Sequence, residues 1–191
     1  MISSALHFLI QTIGNLFAIA VLLRFMMQAF RVPFHNPFAQ FVVAFTDFAV
    51  KPLRRVVPGL FGLDWACLLL AFFVELLVVL SGYWLDGFPF ALAGAGVWPV
   101  MLGLALVRLI TLAVYLVIGV TLVSAVLSWV NPHTPLMPVV RALSEPFLRP
   151  IRQFVPLIAN VDLSPIVLFI VCQLVLMLPV MALERALLGG L

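Results

Sequence analysis

The sequence predicts an all-α membrane protein with four transmembrane helices arranged as two parallel repeats. Three observations predict it. Of 191 residues, 65% are hydrophobic and only 9% are charged, with a mean hydropathy of +1.29. A water-soluble domain keeps roughly a quarter of its residues charged. Four apolar runs each approach or exceed the ~20 residues that a helix needs to cross the hydrocarbon. The chain also matches itself when shifted by 98 residues. A disordered chain is excluded by the low polarity, and a disulfide-built module by having only two cysteines, Cys67 and Cys172. The net charge of +3 is small and scattered, so no nucleic-acid surface is expected.

The first span runs from about residue 6 to 30, with Arg24 near its end. Its start, Met1-Ile2-Ser3-Ser4-Ala5, lacks the positive region of a signal peptide, and apolar residues continue past Ala18-Ile19-Ala20. It is therefore expected to be a retained span. The second span covers about 66–85 and contains one charge, Glu75. The third covers about 101–130, with Arg108 near its start, and the fourth about 165–183, containing Gln173. In lipid the backbone must satisfy its own hydrogen bonds, so these runs are expected to be helices. Residues 1–90 and 101–191 form two repeats, and the small-residue stretch 91–100 links them.

The repeat is countable. Under the shift, Pro37 falls on Pro135, Pro52 on Pro150, Arg54 on Arg152, Pro58 on Pro156 and Asp64 on Asp162. Asp47 falls on Glu145, Lys51 on Arg149 and Glu75 on Gln173. Between Pro37 and Asp64, 8 of 28 positions are identical. Each repeat is therefore span, long connector, span. With two spans per repeat, both repeats enter from the same side, related by a pseudo-two-fold axis along the membrane normal. Eight Lys and Arg residues lie at the connector face and two, Arg108 and Arg185, at the other. The positive-inside rule then places connectors 31–65 and 131–164 in the cytoplasm and both termini outside.

Within the connectors, apolar residues recur at helical spacing, from Phe38 to Ala49 and from Leu136 to Phe147. Each is expected to be a short amphipathic helix lying in the membrane interface or tucked against the bundle. Arg141 and Glu145 are placed for an i,i+4 pair. Pro52 and Pro150 are expected to break these helices, with Pro58 and Pro156 ending the turn that follows. Two roles fit Arg54 and Arg152. One is docking of phosphate or carboxylate groups by the guanidinium fork. The other is topology signal with snorkelling at the headgroups. Two roles also fit Asp64 and Asp162: capping the span that follows, or pairing with the arginine of their own repeat.

These residues carry a resemblance. Ser128-Trp129-Val130-Asn131-Pro132 with Pro135, then Glu145-Pro146-Phe147-Leu148-Arg149-Pro150-Ile151-Arg152, then Pro156 and Asp162-Leu163-Ser164-Pro165, resemble the YggT (YlmG) family in its tandem proteobacterial form. The first repeat departs from the pattern, with Asp47-Phe48 in place of Glu-Pro and Trp65-Ala66 in place of Ser-Pro. The resemblance implies an integral inner-membrane protein without enzymatic activity. It also implies links to osmotic tolerance and potassium uptake, to cell division, or to membrane-complex biogenesis.

No catalytic constellation is legible. His7, His35 and His133 lack metal-pair spacing, and no phosphate loop or nucleophile elbow occurs. No cofactor or metal is expected. Glu75, near the midpoint of its span, should face the bundle interior. Under the pseudo-two-fold axis it and Gln173 can meet, either as a polar station on an ion or proton path or as a hydrogen bond locking the bundle. Gly14 with Ala18, and Ser124 with Ser128, offer small-residue contact faces. The leading functional reading is a scaffold or assembly factor whose working surface is the two proline–arginine connectors. It would act on a membrane-protein partner or as a homo-oligomer within the bilayer. The rival reading is a cation channel or carrier.

Overall fold

The computed structural model describes residues 2–59, 62–155 and 162–189. Seven α-helices follow in order: α1 (Ile2–Ala29), α2 (Pro37–Val56), α3 (Trp65–Leu85), α4 (Val97–Val130), α5 (Met137–Arg152), α6 (Ser164–Val175) and α7 (Met181–Leu188). A π-turn, Leu176–Val180, joins α6 to α7. It contains Pro179 and widens the helix where that residue has no N–H to donate. Four segments are long and apolar enough to span a bilayer: Ser3–Ala29, Trp65–Leu85, Val97–Val130 and Ser164–Leu188. The protein is a multi-pass membrane protein.

The spans pack in the order α1, α3, α4, α6. Small residues allow the closest approach. Gly14 of α1 sits against Val78 of α3, and Gly82 of α3 against the His7 ring. Ala18 is fully buried beside them in the chain, so the Gly14–Ala18 face is a helix contact as expected. Of the second predicted face, Ser124 is buried and Ser128 is exposed. α4 has 34 residues and begins at Val97, ahead of the expected start, with Pro99 in its first turn where a missing N–H is tolerated. Residues 86–96 form the turn between the repeats. Gly87 and Gly94 there adopt φ of +79° and +68°, which L side chains rarely adopt.

Both connectors fold as amphipathic helices, but the prolines do not break them. α2 runs through Pro52, and α5 through Pro146 and Pro150. Each proline removes one N–H and crowds one carbonyl. The opposing gain is a buried stripe: Ala39, Val42, Thr46 and Val50 in α2, and Met137, Val140, Ser144 and Leu148 among those of α5. Burial of these stripes against the spans holds the helices through the lost bonds. Pro37 opens α2 behind the Asn36 cap, whose side chain accepts from the Phe38 N–H at 2.9 Å. Pro58 follows the end of α2, and Pro156 lies outside the described residues.

The α1–α3 contact generates a prediction. A Cβ at Gly14 would overlap the Val78 Cγ2 methyl. A β-branched side chain in a helix has one strongly preferred rotamer and cannot swing away. Gly14→Leu is expected to lower stability by about 1–3 kcal/mol, read as a lower unfolding temperature in detergent. The exposed control Leu16→Ala should leave it nearly unchanged.

Candidate functional site

The residues shared by the two repeats assemble two ionic clamps at one end of the bundle, where α2 and α5 lie. In the first repeat, Arg54 near the end of α2 donates through Nε to Asp64 Oδ2 at 3.1 Å, and its Nη2 makes a second, closer bond to the same oxygen. That guanidinium also reaches Gln28 Oε1 at 3.2 Å. Asp64 is buried and simultaneously caps α3, accepting from the Cys67 N–H at 3.4 Å and from its thiol at 2.9 Å. In the second repeat, Arg152 Nε donates to Asp162 Oδ2 at 2.9 Å, and Asp162 Oδ1 accepts from the Ser164 N–H at 2.9 Å. Asp64 therefore fills both roles considered, capping and pairing, whereas Asp162 pairs with Arg152 and holds the Ser164 N–H from one residue ahead of the cap position of α6, which is Leu163. In both clamps the arginine lies ten residues before its aspartate.

The clamps differ in one informative way. Asp47 of α2 lies 2.9 Å from Arg24 Nη1 and 2.7 Å from Lys51 Nζ. Arg24 is buried, and donates to Thr46 Oγ1 at 2.9 Å and the Val43 carbonyl at 3.2 Å. A buried cation needs such pairing. The position equivalent to Arg24 in the second repeat is Leu122, so Glu145 has no cation from the preceding span. It takes Arg152 Nη1 at 2.7 Å instead. One arginine thus holds both Glu145 and Asp162. The expected Arg141–Glu145 pair does not form, because Glu145 is drawn to Arg152.

Burial pushes the Asp64 carboxyl up, but the Arg54 and Cys67 hydrogen bonds and the Arg54 charge outweigh it, leaving it below its ordinary value. Asp162 is likewise raised by burial and lowered further by Ser164 and Arg152. Asp47 is held below its ordinary value, first by the Lys51 hydrogen bond and then, against burial, by Arg24.

Beside each clamp opens a cleft. The first, of about 460 Å³, is lined by Arg24, Gln28, Phe34, Gln40, Asp47 and Arg54 among others. The second, of about 570 Å³, is lined by Pro132, His133, Pro138, Arg141 and Glu145 among others. Phe34, Gln40 and Asp47 are the counterparts of Pro132, Pro138 and Glu145, so the clefts themselves repeat. Asn131 turns the chain into α5, its side chain accepting from the His133 N–H at 3.2 Å. Pro135 accepts a hydrogen bond from the Asn36 side chain, joining the two connectors. Ser128, Trp129, Pro146, Arg149 and Pro150 are exposed, and Ser164 and Pro165 open α6.

Glu75 is fully buried, and neither carboxylate oxygen has a hydrogen-bond partner among the described residues. Its neighbour is not Gln173 but Arg108 of α4, whose Nε lies 3.9 Å away. The reason is packing order: α3 lies against α4, and Gln173 sits on the helix beyond it. Arg24 and Arg108 were missed as site residues by the sequence reading, which took them only as topology charges. The available signal was that each is a lone cation in an apolar run with a lone carboxylate elsewhere to meet. Among the described residues, no three His, Cys, Asp or Glu side chains gather as for a metal ion.

The family profile described as CCB3/YggT matches residues 3–85 and 103–183. The chain is similar to "Uncharacterized protein PA0392" of Pseudomonas aeruginosa, 34% identical over 93% of this chain and 89% of the relative. It is similar to "Uncharacterized protein in proC 3'region" of Vibrio alginolyticus, 36% identical over 89% and 90%. It is also similar to "Uncharacterized protein YggT" of Escherichia coli K12, 34% identical over 90% and 87%. These names carry no enzymatic activity. No solved structure matches the chain significantly.

The clamps differ in burial, and stability should follow. Arg54→Ala strands a buried carboxylate and is expected to destabilise by about 1–3 kcal/mol. Arg152→Ala frees two partly exposed acids and should cost under about 1 kcal/mol. Unfolding in detergent compares them, and an equal or reversed order contradicts the assignment. The lowered aspartates mean that the unfolded chain binds more protons in acid. Stability should be level above the ordinary carboxylate value of about 3.9 and fall as pH drops below it. The Arg54→Ala variant should lose part of that acid-dependent fall.

Proposed function

The chain belongs to the CCB3/YggT family, and from that premise we propose that it is a non-enzymatic scaffold or assembly factor of the bacterial inner membrane. Its work would be felt as osmotic tolerance, cell division or membrane-complex biogenesis. The observation that carries this reading is the doubled Arg–Asp clamp. Holding two long connectors as ordered helices at one membrane face suits a surface meant to be recognised. Ion passage would ask for no such surface. Arg54 and Arg152 build the surface and are committed to their own aspartates. Arg31, Arg55, Arg141 and Arg149 are exposed on the same face and make no ion pair with a described residue. They are the residues left to meet an anionic segment of a membrane-protein partner. The positive-inside rule favours a cytoplasmic position for this face. Arg108, one of two basic residues counted against it, is drawn to Glu75 within the bundle.

The rival reading, a cation channel or carrier, rests on the buried and unbonded Glu75 oxygens. The Arg108 guanidinium 3.9 Å away opposes a second cation there, and Gln173 does not complete the station. A pair that neutralises itself and ties α3 to α4 accounts for both charges.

Charge reversal at Arg55 and Arg149 together is expected to leave insertion and unfolding temperature intact. Photo-crosslinking in native membranes should then lose the partner band seen with the unmodified protein. An unchanged band would reject this surface. In liposomes, the unmodified protein and Glu75→Gln should both give no cation flux above empty vesicles. Flux that Glu75→Gln abolishes would replace the scaffold reading with transport.

A further inference from the structure

The second repeat lines a recess with polar groups at positions where the first repeat is apolar. Between the end of α4, α5 and the start of α6 lies a recess of about 60 Å³, lined by Ser124, Ser128, Arg141, Glu145, Arg152 and Asp162 among others. A single water needs about 10–15 Å³ of such space, so the recess takes a group larger than one water. It adjoins the cleft of about 570 Å³ described above, sharing Met137, Arg141 and Glu145 with it. Under the 98-residue shift, Ser124, Ser128 and Arg141 fall on Met26, Phe30 and Val43. Met26 and Phe30 belong to the apolar core. Three apolar positions of one repeat are thus two hydroxyls and a guanidinium around one space in the other.

These groups are open. Ser124 is buried and Ser128 exposed, and neither hydroxyl is hydrogen-bonded to a described residue. Arg141 makes no ion pair with a described residue. Glu145 gives Oε2 to Arg152, and its Oε1 has no partner among the described residues. Arg141 and Glu145 are one helical turn apart, a spacing that sets their Cβ atoms about 5–6 Å apart. A simple anion in the recess would meet the carboxylates of Glu145 and Asp162, and a simple cation the guanidinium groups of Arg141 and Arg152. A group that carries both charges meets neither objection. The donor and acceptor on offer are separated by a reach comparable with that between the phosphate and ammonium of phosphoethanolamine, which two carbons join. Depth agrees with a lipid source. Trp129, which also lines the recess, is 75% exposed near the end of α4, and a tryptophan at the end of a span sits at headgroup level.

We propose that this recess and its cleft hold the phosphoethanolamine headgroup of a bilayer phospholipid. Its phosphate accepts from Arg141 and from the Ser124 and Ser128 hydroxyls, and its ammonium donates to Glu145 Oε1. Each open group is used once, and the two charged contacts are of the stronger, charge-assisted kind. Arg152 keeps Asp162 and the other Glu145 oxygen, so the clamp stays closed around the ligand. The inference goes beyond the scaffold reading. It draws on Arg141 alone of the four unpaired arginines and leaves Arg31, Arg55 and Arg149 to a protein partner.

The test reads lipid adducts of the purified full chain in detergent by native mass spectrometry. Phosphatidylethanolamine, phosphatidylglycerol and phosphatidylcholine with identical acyl chains are added at equal concentration. Phosphatidylethanolamine is expected to be retained over both others, because the glycerol headgroup has no ammonium and the choline nitrogen has no N–H to donate. Arg141→Ala should lower its retention about tenfold, the scale of one charge-assisted hydrogen bond, with the unfolding temperature unchanged. Glu145→Gln should remove the preference over phosphatidylglycerol in protein that remains folded. Arg149 is exposed on the same helix and does not line the recess, so Arg149→Ala should leave retention intact. An equal loss there would mean general attraction to a basic face and would overturn the proposal. The joint charge reversal at Arg55 and Arg149 should also leave the lipid bound, so loss of the partner band and loss of the lipid are separate results. Equal retention of the three lipids, or unchanged retention in folded Arg141→Ala, would overturn the proposal. Displacement of the lipid by equimolar glycerophosphoethanolamine would give the recess to a soluble ligand and overturn it equally.

Discussion

A charge inside or at the edge of an apolar bundle must find an opposite charge, and most of this structure follows from where those meetings occur. The described residues include Arg24 held by Asp47, Arg54 by Asp64, Arg152 by Glu145 and Asp162, and Arg108 beside Glu75. In water such pairs would contribute little. Here the acids are partly or wholly buried, and each pair dictates which elements can lie together. Arg24 brings α2 onto α1, Arg54 brings the end of α2 to the start of α3, and Arg108 sets α4 against α3. Hydrocarbon surroundings give little preference among apolar faces, so the ionic contacts supply much of the register.

Duplication allowed the two halves to solve the same problem differently. The first repeat brings a separate cation from its leading span, so each acid has its own partner. The second has Leu122 at that position, and one arginine spans two acids. The clamp survives the change because the essential pair, an arginine and an aspartate ten residues later, joins the end of the interfacial helix to the start of the following span. It closes the connector into a fixed shape whichever way the third charge is supplied. The prolines fit this view. Pro52 and Pro150 sit inside helices whose buried stripes and clamps hold them despite the lost hydrogen bonds.

Equivalent residues also have different fates in packing. Val139 and Leu143 are core, while Phe41 is exposed and Phe45 is half-exposed with its ring edge-to-face on Phe17 of α1. An exact two-fold would have treated both alike. The observed exchange of contacts is one-sided: the second connector reaches the first repeat, and the first connector does not receive the same cover. The larger aromatic residues on that side pack among themselves, Phe41 on Phe45 and Phe45 on Phe17.

By itself the sequence determined the four apolar spans, the repeat and the helical connectors, and it narrowed Asp64 and Asp162 to two roles, capping or pairing, without choosing between them. These follow from local composition, periodicity and matches along one dimension. It marked Arg54 and Arg152 as important through their recurrence with the aspartates. The fates of Pro52 and Pro150, Glu75, Arg24 and the Val139–Phe41 pair were decided only in three dimensions. A proline breaks or bends a helix according to what its buried face packs on. A buried carboxylate takes the partner that the adjacent helix presents, so Glu75 met Arg108 rather than the residue its repeat position suggested. Helix order and rotation set those neighbours, and they arise from packing among all four spans at once.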